Sequence, residues 1–123
     1  MHPPPSGVFL SIQSIYSFSE NAIWFGFGSL PIYYNGETYY KFTPAIDDYP
    51  GGFIINAIWG TSSNNVYFVG GNGSIVHYDG LNFVKMESGT EVDLNSITGT
   101  GPDNVWISER VQGRRSDNGS LAL

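Results

Sequence analysis

The sequence has no cysteine, only five basic residues and no long apolar run. The first absence excludes disulfides and thiolate metal sites and leaves the redox compartment open. The second sets 11 carboxylates against Lys41, Lys85, Arg110, Arg114 and Arg115, for a net charge of −6. Such a surface repels phosphate backbones, so nucleic acid is not an expected partner. The third excludes a membrane-spanning helix, which needs roughly 18–20 consecutive apolar residues. The opening Met1-His-Pro-Pro-Pro5 lacks a basic region followed by an apolar core, so it does not read as a signal peptide, and residues 1–7 read as a disordered tail. Also missing is any helix-length window in which apolar residues recur at three, four and seven.

What the chain does have is aromatic residues and glycine: 8 Tyr, 8 Phe, 3 Trp and 16 Gly. Aromatic side chains fit a pleated surface and glycine supplies turn geometry, so the expectation is an all-β fold. Its organisation follows from a recurrence. Ile12-Gln-Ser-Ile-Tyr-Ser-Phe-Ser-Glu-Asn-Ala-Ile-Trp-Phe25 returns, ungapped, as Ile55-Asn-Ala-Ile-Trp-Gly-Thr-Ser-Ser-Asn-Asn-Val-Tyr-Phe68. It returns again as Leu94-Asn-Ser-Ile-Thr-Gly-Thr-Gly-Pro-Asp-Asn-Val-Trp-Ile107. The similarity continues through Tyr34-Asn-Gly36 and Tyr78-Asp-Gly80, with Asn-Gly and Asp-Gly marking tight hairpins. A period near 40 residues made of short strands is the signature of a β-propeller or a related β array.

Each unit reads as four antiparallel strands. In the second unit they are expected near 54–60, 65–70, 74–79 and 83–87. The third unit keeps two strands (93–99 and 104–109), then a long turn over 111–120 and the start of another strand at 121–123. The expected fold is therefore a partial β-propeller-type array of about two and three-quarter antiparallel four-stranded blades, about eleven strands in all. Its units are 8–50, 51–92 and an incomplete 93–123. The aligned apolar set Ile12, Ile15, Ile23, Ile55, Ile58, Val66, Leu94, Ile97 and Val105 is the expected core. Because stacked units stabilise one another through neighbour interfaces, the expected partners are further blades of a parent propeller or a second copy of the chain.

The stretch from Ile58-Trp-Gly-Thr through Asn65-Val-Tyr67, Val69-Gly70 and His77-Tyr-Asp-Gly80 resembles the repeat unit of large bacterial surface or secreted propeller proteins. Such proteins often carry labels such as glycosyl hydrolase or glucosyltransferase. The resemblance covers residues 12–123 and implies a fold and an extracellular, cell-surface or periplasmic setting rather than a chemistry. The first copy, Ile12 to Gly36, is also loosely similar to periplasmic sensor propellers. Ser116-Asp-Asn-Gly119 lacks the spacing and the tryptophan of a sialidase Asp-box.

In an up-and-down four-stranded unit, the turn between strands two and three shares an end with the link to the next unit. That end collects the longer loops, and loops on a rigid scaffold usually carry function. The candidate ligand-binding residues there are Asp47, Asp48, Tyr49, Glu91, Asp93, Arg114 and Arg115. Paired carboxylates could act in glycoside hydrolysis, the arginines could grip an anion, and off-period Tyr49 could stack on a sugar. Solvated loop charge and internal ion pairing account for the same residues without a ligand. No calcium-loop spacing, zinc pattern, nucleophile elbow or phosphate cradle is present, so no catalytic residue, metal or cofactor is expected. His77, inside a strand and without a carboxylate or second histidine at ligand spacing, reads as structural. The leading expectation is a non-catalytic propeller module that serves as a scaffold or binding platform for protein or glycan. The alternatives are a glycoside-hydrolase-like or carbohydrate-binding propeller, and a periplasmic sensor.

Overall fold

The computed structural model describes residues 12–42 and 53–109, and the backbone of residues 120–122. The described residues form eleven strands and no α-helix. They are β1 (Ile12–Ser19), β2 (Ala22–Phe27), β3 (Leu30–Tyr34), β4 (Tyr39–Lys41), β5 (Ile55–Ser62), β6 (Asn65–Gly70), β7 (Ser74–Tyr78), β8 (Phe83–Met86), β9 (Leu94–Gly101), β10 (Asn104–Glu109) and β11 (Ser120–Ala122). A 3-10 turn, Gly71–Gly73, joins β6 to β7. The all-β expectation holds, with strand ends shifted by one or two residues. Among the described residues no helix is long and apolar enough to cross a membrane.

The strands form three sheets of antiparallel neighbours: β1-β2-β3-β4, β5-β6-β7-β8 and β9-β10-β11. Strand β5 lies against β1 on one side and β9 on the other. The recurring sequence is matched by recurring backbone. The pairing skips a residue between Ile12 and Ser14, between Ile55 and Ala57, and between Leu94 and Ser96. It skips another between Ser17 and Ser19, between Gly60 and Ser62, and between Gly99 and Gly101. These bulges break strict alternation. The first of them lets Ile55 and Ile58, three residues apart, share one face of β5.

Turn chemistry recurs as well. The Tyr34 hydroxyl donates to Gly36 O and the Tyr78 hydroxyl to Gly80 O, at 2.8 and 3.0 Å. Asn35 Oδ1 accepts the N–H groups of Glu37 and Thr38, and Asp79 Oδ1 accepts those of Leu81 and Asn82. Gly36 and Gly80 both sit at positive φ, +101° and +102°, which explains why both hairpins use glycine there.

The core lies between the sheets. Trp24, Ile55, Ile58, Val66 and Phe68 form one buried cluster between the first and second sheets. Val69, Ile75, Leu94 and Ile107 form another between the second and third. Trp59, on the opposite face of β5 from Ile58, needs a bare backbone to approach: a Cβ on Gly99 would lie 2.7 Å from its Cζ2. Of the expected core, Ile55, Ile58, Val66, Leu94 and Val105 are buried, whereas Ile23 and Ile97 are only half-buried. Ile12 and Ile15 are corrections. They are 37% and 58% exposed, because they lie on the face of β1 directed away from the second sheet. The sequence position is equivalent to that of Ile55 and Ile58; the covering sheet is what differs.

Candidate functional site

Two of the described loops, the β6–β7 turn and the β8–β9 link, are tied together. The β6–β7 turn contains Asn72, a non-glycine residue at φ 58°, followed by Gly73 at φ +70°. Asparagine tolerates left-handed backbone better than other non-glycine residues, though less readily than glycine, so an added hydrogen bond helps to hold it there. Support comes from the β8–β9 link: Asp93 Oδ1 accepts the Asn72 N–H at 2.9 Å. The Ser88 hydroxyl lies 2.6 Å from Gly73 O and 3.1 Å from Thr90 O, and it accepts the Thr90 N–H at 3.2 Å. Thr90 Oγ1 in turn accepts the Val92 N–H at 3.1 Å. Gly73 must be glycine for packing as well as for φ, since a Cβ there would lie 2.0 Å from Thr90 O.

Two open grooves flank this knot and share Asn72. The larger, about 530 Å³, is lined by Ser29, Phe53, Ile54, Asn56, Gly71, Asn72 and Asp93. Its floor is fixed by backbone bonds between loops. Ile55 N–H donates to Gly28 O at 2.9 Å, and Gly71 N–H donates to Ile54 O at 3.1 Å. Asn56 Nδ2 reaches across to Leu94 O at 3.0 Å, so the amide is held in place. The smaller groove, about 390 Å³, runs beside Ser88 to Glu91 and is rimmed by Lys85 and Glu87. Those two pair at 3.2 Å, with Glu87 so exposed that the bridge contributes little to stability.

The candidate residues divide accordingly. Asp47, Asp48, Tyr49, Arg114 and Arg115 lie outside the described residues. Asp93 lines the larger groove and is half-buried, while exposed Glu91 lines the smaller. The structure therefore does not bring these two carboxylates together across one cleft, and Asp93 spends an oxygen on holding a turn. Ser29, Asn56 and Asn72 belong to the larger groove and were not among the expected residues. A sequence signal existed for Asn56, which stands at the bulge position that carries Gln13 and Asn95 in the other copies.

At the opposite end, His77 on β7 sets its Nε2 2.5 Å from Asn65 Oδ1, and its ring lies tilted against that of Tyr67 with centroids 4.5 Å apart. Asn65 Nδ2 donates onward to Thr61 Oγ1 at 2.8 Å. Burial pushes the His77 pKa below its ordinary value, with nearby Asp79 acting in the opposite sense. The N–H groups of Asn82 and Leu81 lower the pKa of Asp79 itself. The same arrangement recurs without histidine: Asn104 Nδ2 donates to Thr100 Oγ1, and Asn104 Oδ1 accepts the Trp106 indole N–H. A motif that works equally with an indole is a strand-end clasp rather than an acid–base device.

No protein-family model matches the chain, and no curated protein or solved structure is significantly similar to it.

Proposed function

We propose that this chain is a non-catalytic β-propeller-type repeat module, a scaffold whose loop end serves as a binding platform in a bacterial surface or secreted protein. The motif resemblance supports the setting, and the serial packing of β1, β5 and β9 supports the propeller-type reading. The observation that carries the binding platform is the larger groove. It joins apolar Phe53 and Ile54 to the polar groups of Ser29, Asn56, Asn72 and Asp93, on loops cross-tied by backbone bonds. A mostly rigid concavity with a few fixed polar groups is what a short peptide strand or an oligosaccharide needs.

The test is binding of the 123-residue chain to glycan and peptide arrays, repeated with Ser29→Trp, which fills the groove. Binding abolished by Ser29→Trp, with no turnover of chromogenic glycosides, is the expected result. Glycoside turnover lost in Glu91→Gln or Asp93→Asn would replace this reading with the hydrolase. Binding that survives Ser29→Trp would remove the groove from it.

A further inference from the structure

One side-chain pairing occurs twice inside the chain, and both of its halves occur once more, uncovered. Between the first and second sheets, Trp24 of β2 packs with Ile55 and Ile58 of β5. The indole is 1% exposed and meets Phe68 at 5.3 Å edge-to-face. Between the second and third sheets the equivalent aromatic, Tyr67 of β6, shares a cluster with Leu94 and Ile97 of β9. In each case an aromatic from the second strand of one sheet covers an aliphatic pair on the first strand of the next. The third sheet repeats the aromatic as Trp106, which is 49% exposed. The first sheet repeats the aliphatic pair as Ile12 and Ile15, 37% and 58% exposed.

We infer that these two faces are covered by one another in a second copy of this chain: Trp106 of each copy seats on Ile12 and Ile15 of the other. The two internal junctions already demonstrate the contact between identical sequence positions, so the occupant is defined by continuity with an existing interface. The two halves face opposite ways along the stack, which makes the contact head-to-tail. Two copies related by a two-fold axis then close with two identical junctions, as heterologous contacts do when the rotation closes. Trp106 is prepared for this role. Its indole N–H is already satisfied by Asn104 Oδ1 at 3.0 Å, which fixes the ring and leaves an apolar face to offer. The exposed side chains involved, Ile12, Ile15 and Trp106, carry no charge.

Sedimentation velocity on the 123-residue chain at tens of micromolar tests the inference, with Trp106→Ser and Ile15→Glu as variants. Both positions are exposed, and an unchanged far-UV circular dichroism spectrum checks that each variant folds. The wild type is expected at twice the chain mass, and Trp106→Phe, which keeps an aromatic face, as a dimer too. Each of the other variants is expected as a monomer. Mixing Trp106→Ser with Ile15→Glu leaves one junction intact, so the mixture should dimerise at least tenfold more tightly than either variant alone. A monomeric wild type would assign the faces to a different partner and overturn the inference. So would open polymers, a dimer indifferent to both variants, or a loss that mixing does not restore. None of these readouts involves the loop-end groove, so this inference and the proposed binding function fail separately.

Discussion

The same substitution at two equivalent positions should cost very different amounts. Ile58 is 6% exposed and packed in a cluster with Trp24, Ile55, Val66 and Phe68. Ile58→Ala removes three carbons, worth about 0.8 kcal/mol each in transfer free energy, or about 2.4 kcal/mol. The surrounding rings are held from both sheets and cannot collapse fully into the space, so a cavity contribution is added. Buried aliphatic truncations of this kind fall at about 2–5 kcal/mol, and about 3–4 kcal/mol is expected here. Ile15 is 58% exposed, so Ile15→Ala loses less than half of the transfer contribution and opens no closed cavity. Its expected cost is about 1 kcal/mol or less. Urea unfolding followed by circular dichroism reads both, at protein concentrations low enough that the wild type sediments as a monomer. Equal losses at the two positions would refute the argument that position in the stack, rather than position in the recurring sequence, decides burial.

Three further outcomes follow from the packing, the turns and the half-buried histidine. Gly70→Ala should be severely destabilising, visible as a large fall in the unfolding midpoint, because its Cβ would lie 1.8 Å from Ile54 O; Gly101→Ala, with nothing within 4 Å, should be nearly silent. Asp93→Ala should cost about 1–2 kcal/mol by leaving the Asn72 N–H without its acceptor and the left-handed turn without support, while Asn72→Gly in the same background should recover part of that loss. Because burial holds His77 below its ordinary value near 6.5, the unfolded chain takes up the proton first; stability should therefore fall as pH drops through about 6.5 and level off below the folded value. His77→Gln should flatten that segment of the midpoint-against-pH curve. Keeping the series above about pH 4.5 avoids the separate loss from Asp79, whose lowered pKa contributes stability that disappears only in stronger acid.

The sequence carried the strands well because their signals are local. Asn35-Gly36 and Asp79-Gly80 each mark a hairpin, and both hairpins are present, but as four-residue loops with only the glycine at positive φ and the side chain of the first residue closing the turn, rather than as two-residue turns. The bulges were less visible. Nothing in Ile12-Gln-Ser or Ile55-Asn-Ala announces a skipped residue, although the skip is what places Ile55 and Ile58 on one face. Burial of Ile12 and Ile15 was the clearest error, and its cause is non-local: an aligned position inherits the strand but not the neighbour that covers it. The candidate site was half legible. Topology directed attention to the end where the grooves lie, but charge drew it to Glu91 and Asp93 rather than to Asn56 and Asn72. Asparagine at a bulge or a left-handed turn reads as backbone chemistry, and only the packed loops show that the same residues line a concavity.

The three tryptophans fall at three different levels of the stack, which gives the chain its own optical readout. Trp24 sits between the first and second sheets with a buried indole N–H that meets no acceptor among the described residues, Trp59 lies close to Gly99 of the third sheet, and Trp106 stands on the outer face. An excited indole emits at longer wavelength the more freely water can reorient around it. Emission should therefore be bluest from Trp24 and reddest from Trp106. Variants keeping one tryptophan each, with phenylalanine at the other two positions, would then show which level wets first on denaturation. A blue shift confined to the Trp106-only chain as concentration rises would report the outer face closing.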